Sequence, residues 1–409
     1  MRSIRELYRI GNGPSSSHTM GPKKAAEEFK KKFSDADKYV VTLFGSLALT
    51  GKGHLTDVAI KDALKGKETE IIFDTKTRCD YHPNTLTIEA IKDGEPAGFW
   101  KVYSVGGGEI EIDGEDNYKE IKVVYERKTY TDIATYCEEN NMSLADYVYS
   151  REDKNFKTFL KNIWTTMEKS IEKGLSTEGV LPGNIGLERY AKRIIEKSNE
   201  SKDDAVKKTA ELTAYAYAVA EENASGGVIV TAPTCGSSGV LPAVLHYAKE
   251  INGYTDDQIV DALAVAGLIG NIIKTNASLS GAECGCQAEI GSACSMAAAA
   301  YSYLRGLDFK IIEASSEIAM EHFLGLTCDP VHGYVQVPCI ERNGVAANRA
   351  VDSSELAYIQ NTGTLIPFDK VVETMYETGK DLKSHYRETS KGGLAKKYCK
   401  NKFYNPDME

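Results

Sequence analysis

The sequence has no run of about eighteen uninterrupted apolar residues, so no transmembrane helix is expected. Its first residues, Met1-Arg2-Ser3-Ile4-Arg5-Glu6, are charged, and no secretory leader is expected from them. Proline is scarce, 11 in 409 residues, and 42% hydrophobic with 26% charged residues is the composition of a soluble globular chain. A surplus of positive charge is also missing. Lys and Arg number 49 against 59 Asp and Glu, giving −10, which disfavours nucleic acid as a partner. The clearest basic cluster, Lys23-Lys24 with Lys30-Lys31-Lys32, alternates with acids and aromatics and reads as a solvated helix face. The cysteines show neither the paired C-x-x-C of zinc knuckles nor the compact ferredoxin run. Nine cysteines without a leader point to reduced thiols or a metal site, not to a disulfide framework. A soluble cytoplasmic enzyme with no membrane or nucleic-acid partner is expected.

What is present changes texture along the chain. Up to about Lys128, short runs rich in β-branched and aromatic residues recur at 39–44, 70–73, 85–88 and 121–125, separated by turn signals such as Asp93-Gly94 and Asp113-Gly114. Helices are expected at about 21–35 and 54–65. Beyond Lys128 the apolar spacing turns helical, over 131–147, 154–175, 186–199, 203–222, 255–275, 287–305, 313–325, 345–360 and 367–385. The pattern predicts an α+β N-terminal domain over 1–130, a helical connector over 131–155 and an all-α domain over 156–409. No internal repeat stands out.

Six of the nine cysteines lie between Cys235 and Cys339. Cys286, Cys328 and Cys339 stand in unusual settings, Gly-Cys-Gln, Thr-Cys-Asp-Pro and Val-Pro-Cys-Ile-Glu-Arg. On spacing alone, buried inert thiols are the better reading, because free cysteine packs well as a small hydrophobe. Thiolates are nevertheless soft ligands suited to iron–sulfur clusters, and a cubane held by three leaves one iron open as a Lewis acid. Cys284 and Cys294 read as helix-packing residues. In the N-terminal half, Gly11 to Thr19 joins three serines, a histidine and two glycines ahead of a helix, a composition suited to holding a carboxylate. Capping is the plainer role for any single serine. His54, in Thr50-Gly51-Lys52-Gly53-His54, is a candidate general base, although a lone loop histidine is more often structural. The triple glycine at 106–108 is too generic to indicate a phosphate site.

Together these motifs resemble the iron–sulfur (type 2) L-serine dehydratases, in the form that joins both portions in one polypeptide. The resemblance runs through Gly13-Pro14-Ser15-Ser16-Ser17-His18-Thr19, Phe44-Gly45-Ser46-Leu47-Ala48 and His82-Pro83-Asn84-Thr85. It continues through Ser280-Gly281-Ala282-Glu283 with Gly285-Cys286-Gln287, and is most specific from Gly325 through Asn343, ending near Tyr386-Arg387-Glu388-Thr389-Ser390. It implies that Cys286, Cys328 and Cys339 hold a [4Fe–4S] cluster with one open iron. It implies that Ser15, Ser16, Ser17, His18 and Thr19 form a loop closing over the site, and that His54 removes the Cα proton. It further implies an N-terminal domain related to the allosteric substrate-binding domain of some phosphoglycerate dehydrogenases. The implied reaction takes L-serine to pyruvate and ammonia without pyridoxal phosphate. An open-iron cluster predicts oxygen sensitivity, and a homo-oligomer, a dimer, is expected although no sequence feature specifies it.

The sequence departs from that pattern in places. Cys235 stands where many members carry asparagine, and His332 and Tyr334 where smaller or amide residues are common. Some members end close to a cysteine that caps the open iron; here Cys399 is followed by ten residues and is a possible further ligand. Competing readings are a pyridoxal-phosphate eliminase with Lys274 as its Schiff-base lysine, a non-catalytic iron–sulfur or serine sensor, and the same chemistry on threonine or another β-hydroxy amino acid.

Overall fold

The computed structural model describes residues 1–77, 79–115, 123–390 and 392–398. It has an α+β N-terminal region with a mixed sheet, followed by a helical region. In chain order come the short β1 (Ile10–Asn12), then β2 (Lys38–Phe44), β3 (Glu68–Asp74), β4 (Thr85–Lys92), β5 (Glu95–Gly106) and β6 (Glu109–Ile112). The last five form one sheet in the order β3-β2-β4-β5-β6. Only the β2–β3 pair is parallel, joined through the helix Thr56–Ala63. Alternation along β2 sends Tyr39, Val41 and Leu43 to one face, where Leu86, Ile88 and Val102 join them. The helix Gly21–Lys32 covers that face with Ala25, Ala26 and Phe29, and Phe29 meets Trp100 edge-on at 5.2 Å.

The larger core is built around two helices, Asp256–Asn276 and Ile290–Leu304. Asp256–Asn276 is long and apolar enough to cross a membrane, but 78% of its most apolar window is buried inside the chain. A capping box, Thr255 with Gln258, starts it. It also carries Gly267 and Gly270, each of which costs about 1 kcal/mol in a helix interior relative to alanine. The structure shows why they are there. A Cβ at Gly267 would come within 2.4 Å of Ile4 and 3.0 Å of Tyr8, and one at Gly270 within 2.7 Å of Leu7. The glycines cut a notch for the N-terminal segment, and Tyr8 donates its hydroxyl to Leu263 O at 2.9 Å.

From this anchor the chain leaves through β1, which pairs antiparallel with β7 (Val228–Val230). Thr231 fixes the exit, accepting from Arg9 N–H at 2.9 Å and donating to Leu7 O at 2.7 Å. The residues after β1 are thereby aimed at the face where the helical region meets the sheet.

Several expected elements differ. Ile121 and Lys122 lie outside the described residues, and Val123 to Tyr125 form no strand; Val124 and Tyr125 instead donate to Met1 O at 2.9 and 3.0 Å. The expected helix 131–147 is two, Tyr130–Glu139 and Leu144–Arg151, because Asn141 turns left-handed (φ 56°) and Ser143 opens a new capping box with Asp146. The helix expected from 186 starts at Ala191, after Gly186 (φ 74°) and a bridge between Val180 and Glu188. The helix Val240–Asn252 was not anticipated: Pro242 suggests a loop, but it occupies the first turn, where a missing N–H leaves no bond unmade.

Candidate active site

Each cysteine expected as a ligand is held by a different local device. Gly285, at φ +75°, reverses the chain so that Cys286 opens a short 3-10 turn. A Cβ at Gly285 would lie 2.7 Å from Leu326 O, so a larger residue cannot make this turn. Cys328 sits in an extended segment tied down by the C-terminal stretch: its N–H donates to Tyr386 O at 2.8 Å, and Thr389 N–H donates to its carbonyl at 3.2 Å. Cys339 is the first residue of the helix Cys339–Gln360. Arg342 follows one turn later on the same side. Its guanidinium donates to Thr327 O at 2.7 Å and lies 3.5 Å from Asp329 Oδ1.

The three thiols act on one another. The bond that Cys286 shares with Cys328, helped by the Arg342 charge, brings the Cys286 thiol below its ordinary pKa, and the same bond with burial pushes Cys328 well up. Burial, then the neighbouring Cys286, raises Cys339. Burial opposes the Arg342 charge, yet the thiols around it hold its pKa above the usual value. Three soft donors facing one cation form a set suited to a thiophilic metal centre. The other cysteines are placed elsewhere. Cys284 packs under Gly379, and Cys294 donates to Ala346 O at 3.4 Å. Cys235 is buried 3.8 Å from Met20 Sδ, its pKa raised by burial and then by the charge of Glu289. Cys399 lies outside the described residues.

The loop Ser15–Thr19 forms a single wide helical turn, with Met20 N–H reaching back five residues to Ser15 O. It is pinned from three sides. Asn223 of the helical region donates to Pro14 O at 2.9 Å, Ser104 of β5 donates to Ser17 O at 2.7 Å, and Thr19 Oγ1 donates to His54 O at 2.7 Å. His18 is wholly buried, with Nδ1 bonded to Ser17 Oγ and Nε2 to Ser46 Oγ, both at 2.9 Å. Its ring stands edge-on to that of His54, 4.4 Å between centroids. His54 follows the helix Gly45–Thr50, and the left-handed Leu55 (φ 54°) separates it from the next helix. It is 1% exposed, and its Nδ1 has no hydrogen-bond partner.

Burial first, against a weaker opposing bond from Ser46, brings His18 down to about 3. Burial and then His18 lower His54 well below its usual value. Both imidazoles are therefore neutral throughout the working range. Below about 6.5 the unfolded chain protonates histidines that the folded chain keeps neutral, so their share of the stability falls as pH drops, by up to about 1.4 kcal/mol per unit for each, while buried acids with raised pKa values act in the opposite sense. Relative to the wild-type protein, His18→Asn is expected to gain in denaturation midpoint as pH falls from 7 to 5, and a difference that does not change with pH would show that His18 carries no such linkage.

Glu388 joins the two halves. Left-handed at φ 47°, it places Oε1 3.3 Å from His18 Nδ1, and ligand atoms of His18, His54 and Glu388 all lie within 4.8 Å of one another. Glu289 is near enough to feel its charge. Burial, then the negative charge of Glu388, pushes Glu289 up to about 8, and burial pushes Glu388 up to about 7. The structure thus gathers the loop, both histidines and the three cysteines around a pair of acids the sequence reading passed over. Glu388 lay within a quoted motif. Glu289 had a signal of its own: it is the only charged residue between Glu283 and Arg305. Lys274 takes no part in this group; it is held by Glu6 and Glu109 at 3.6 and 3.7 Å. Two open clefts, about 760 and 380 Å³, share Lys128 and include none of these site residues.

A family model described as serine dehydratase alpha chain matches residues 115–395, and one described as serine dehydratase beta chain matches residues 3–72. The L-serine dehydratase of Haemophilus influenzae is 39% identical over 455 aligned positions, covering 98% of this chain and all of the relative. L-serine dehydratase 2 of Escherichia coli is 39% identical, covering 97% and 99%. The L-serine dehydratase of Helicobacter pylori strain 26695 is 40% identical, covering 96% and 98%.

Proposed function

The chain belongs to the serine dehydratase family, with the alpha-chain and beta-chain parts in one polypeptide, and from this we propose that it converts L-serine to pyruvate and ammonia by eliminating water with a [4Fe–4S] cluster. The observation that carries the reading is the meeting of three mutually interacting thiols with a pair of neutral, buried imidazoles across Glu388. Cys286, Cys328 and Cys339 fit the cluster by donor type and would hold it, and a cluster held by three residues would supply Lewis-acid chemistry at its remaining iron. Arg342 sets a fixed positive charge against the anionic thiolates. His54 is the base for the Cα proton. A base must be unprotonated to act, and burial keeps His54 so; its unpartnered Nδ1 has no bond to give up before accepting a proton. His18, braced by Ser17 and Ser46, holds the His54 ring in place. Ser15, Ser16, Ser17 and Thr19 close the site and offer hydroxyls to the substrate carboxylate.

We further place the protein in the cytoplasm as a homodimer. Eight described cysteines, all free thiols, support a reducing compartment. Exposed Ile359, Leu365 and Ile366 support association. The test is anaerobic: the purified protein is expected to show the visible absorption of an iron–sulfur centre and to form pyruvate from L-serine in the same sample. A coloured protein that forms no pyruvate overturns the substrate, and a colourless one that does overturns the cluster.

A further inference from the structure

Glu289 has no structural task that accounts for it. It stands at the N-terminal boundary of the helix Ile290–Leu304, where an acid commonly caps, yet its side chain makes no cap hydrogen bond. It lies deep in the chain and still keeps part of its surface accessible, as a group lining an internal cleft does. Among the described residues it forms no ion pair within 4 Å; Thr234 supplies a hydrogen bond, and Arg342 is committed to Thr327 and Asp329. Two glycines let the carboxylate come close to the backbone and to Cys328. A Cβ at Gly281 would lie 2.8 Å from Glu289 Oε2 and 3.1 Å from Cys328 Sγ, and one at Gly236 3.4 Å from Glu289 Oε1. Burial favours the protonated form of such an acid, and an arriving cation favours its ionised form. One polar atom nearby has no hydrogen-bond partner, the Nδ1 of His54, whose ring lies beside Glu388.

We propose that Glu289 receives the α-ammonium group of the substrate, and so selects amino acids over the corresponding hydroxy acids. This rests on the elimination reaction proposed above. The substrate is a zwitterion. With its carboxylate toward the Ser15–Thr19 loop and its hydroxyl toward the cysteines, the ammonium is left facing the acids, and Cα turns toward His54. Glu388, beside His18 and near enough for its charge to act on Glu289, adds to the same acidic surroundings.

The probe is 3-hydroxypropionate, which is L-serine without its ammonium group. In the anaerobic holoenzyme, Glu289→Gln is expected to raise KM for L-serine by about 10- to 100-fold, the worth of one charged hydrogen bond. The inhibition constant of 3-hydroxypropionate is expected to stay within about twofold, since that molecule cannot use Glu289. An unchanged KM, or a parallel loss for both compounds, overturns the proposal. If the variant fails to take up the cluster, wild-type protein decides. There, 3-hydroxypropionate binding at least about tenfold more weakly than L-serine supports the proposal, and equal binding overturns it. Wild-type protein that forms no pyruvate overturns the elimination reaction and this proposal with it, whereas active protein with equal binding overturns this proposal alone.

Discussion

Cys328→Ala is expected to remove both the colour of the anaerobic protein and its formation of pyruvate, the latter by at least about a thousandfold, as loss of a Lewis acid contributing several kcal/mol requires. The fold is expected to survive. Cys328 is held through its backbone, by bonds with Tyr386 and Thr389 that alanine keeps, and its side chain is small. Its thiol matters through the bond with Cys286 and the electrostatic group that includes Cys339 and Arg342. Removing one of three soft donors leaves two, too few to fix a cubane, and leaves the Arg342 charge less well balanced. Cys284→Ala provides the contrast. That thiol packs against Gly379, and the variant is expected to keep colour and activity. Absorbance, iron content and pyruvate assays on the two variants check the prediction; a coloured, active Cys328→Ala protein would end the three-cysteine reading.

His54→Phe is expected to lower kcat by about 100- to 10,000-fold, the usual worth of a positioned general base, while the absorption spectrum stays that of the parent. Phenylalanine preserves an aromatic ring against His18, whose centroid is 4.4 Å away, but offers no nitrogen to take a proton. The expected stability change separates this role from a structural one. A structural histidine loses bonds when replaced. The Nδ1 of His54 is buried with no partner, so replacing it with carbon removes a desolvated polar atom and is expected to leave the denaturation midpoint unchanged or higher. His18 behaves oppositely: both its nitrogens are bonded, and His18→Phe strands Ser17 and Ser46. A variant of His54 that loses stability and activity together would assign it to packing.

How much of this was legible in the sequence depended on the range of the interactions. Alternation in Tyr39–Phe44 and Thr85–Ile88 marked β2 and β4 because one sheet face is buried and the other is not. β5 was missed because it opens with Glu95-Pro96-Ala97-Gly98, a turn-like start to a strand whose apolar alternation begins only at Trp100. The three cysteines stood out by setting, yet no spacing rule could bring them together. That Cys328 is tied to Tyr386 and Thr389, and that Cys339 shares a helix face with Arg342, are facts of tertiary structure. His54 looked like an ordinary loop histidine until its burial and unpaired nitrogen were visible. The opposite error was made with Glu289: a single acid inside a long alanine-rich stretch is costly to bury, and that isolation was readable from composition alone.

The notch that Gly267 and Gly270 cut for Ile4, Leu7 and Tyr8 also sets an order of events at birth. Tyr8 and the carbonyl it bonds are 255 residues apart in the chain. At about 5–20 residues per second, the N-terminal segment leaves the ribosome on the order of 10–50 s before its groove exists. The strands between them can pair in that interval; the serine loop cannot be aimed. Glu388 emerges later still, and only then do the acids, the imidazoles and the thiols face one another. A nascent chain carries both imidazoles early and brings them against Glu388 and the thiols almost last, when the helices that bury them are in place.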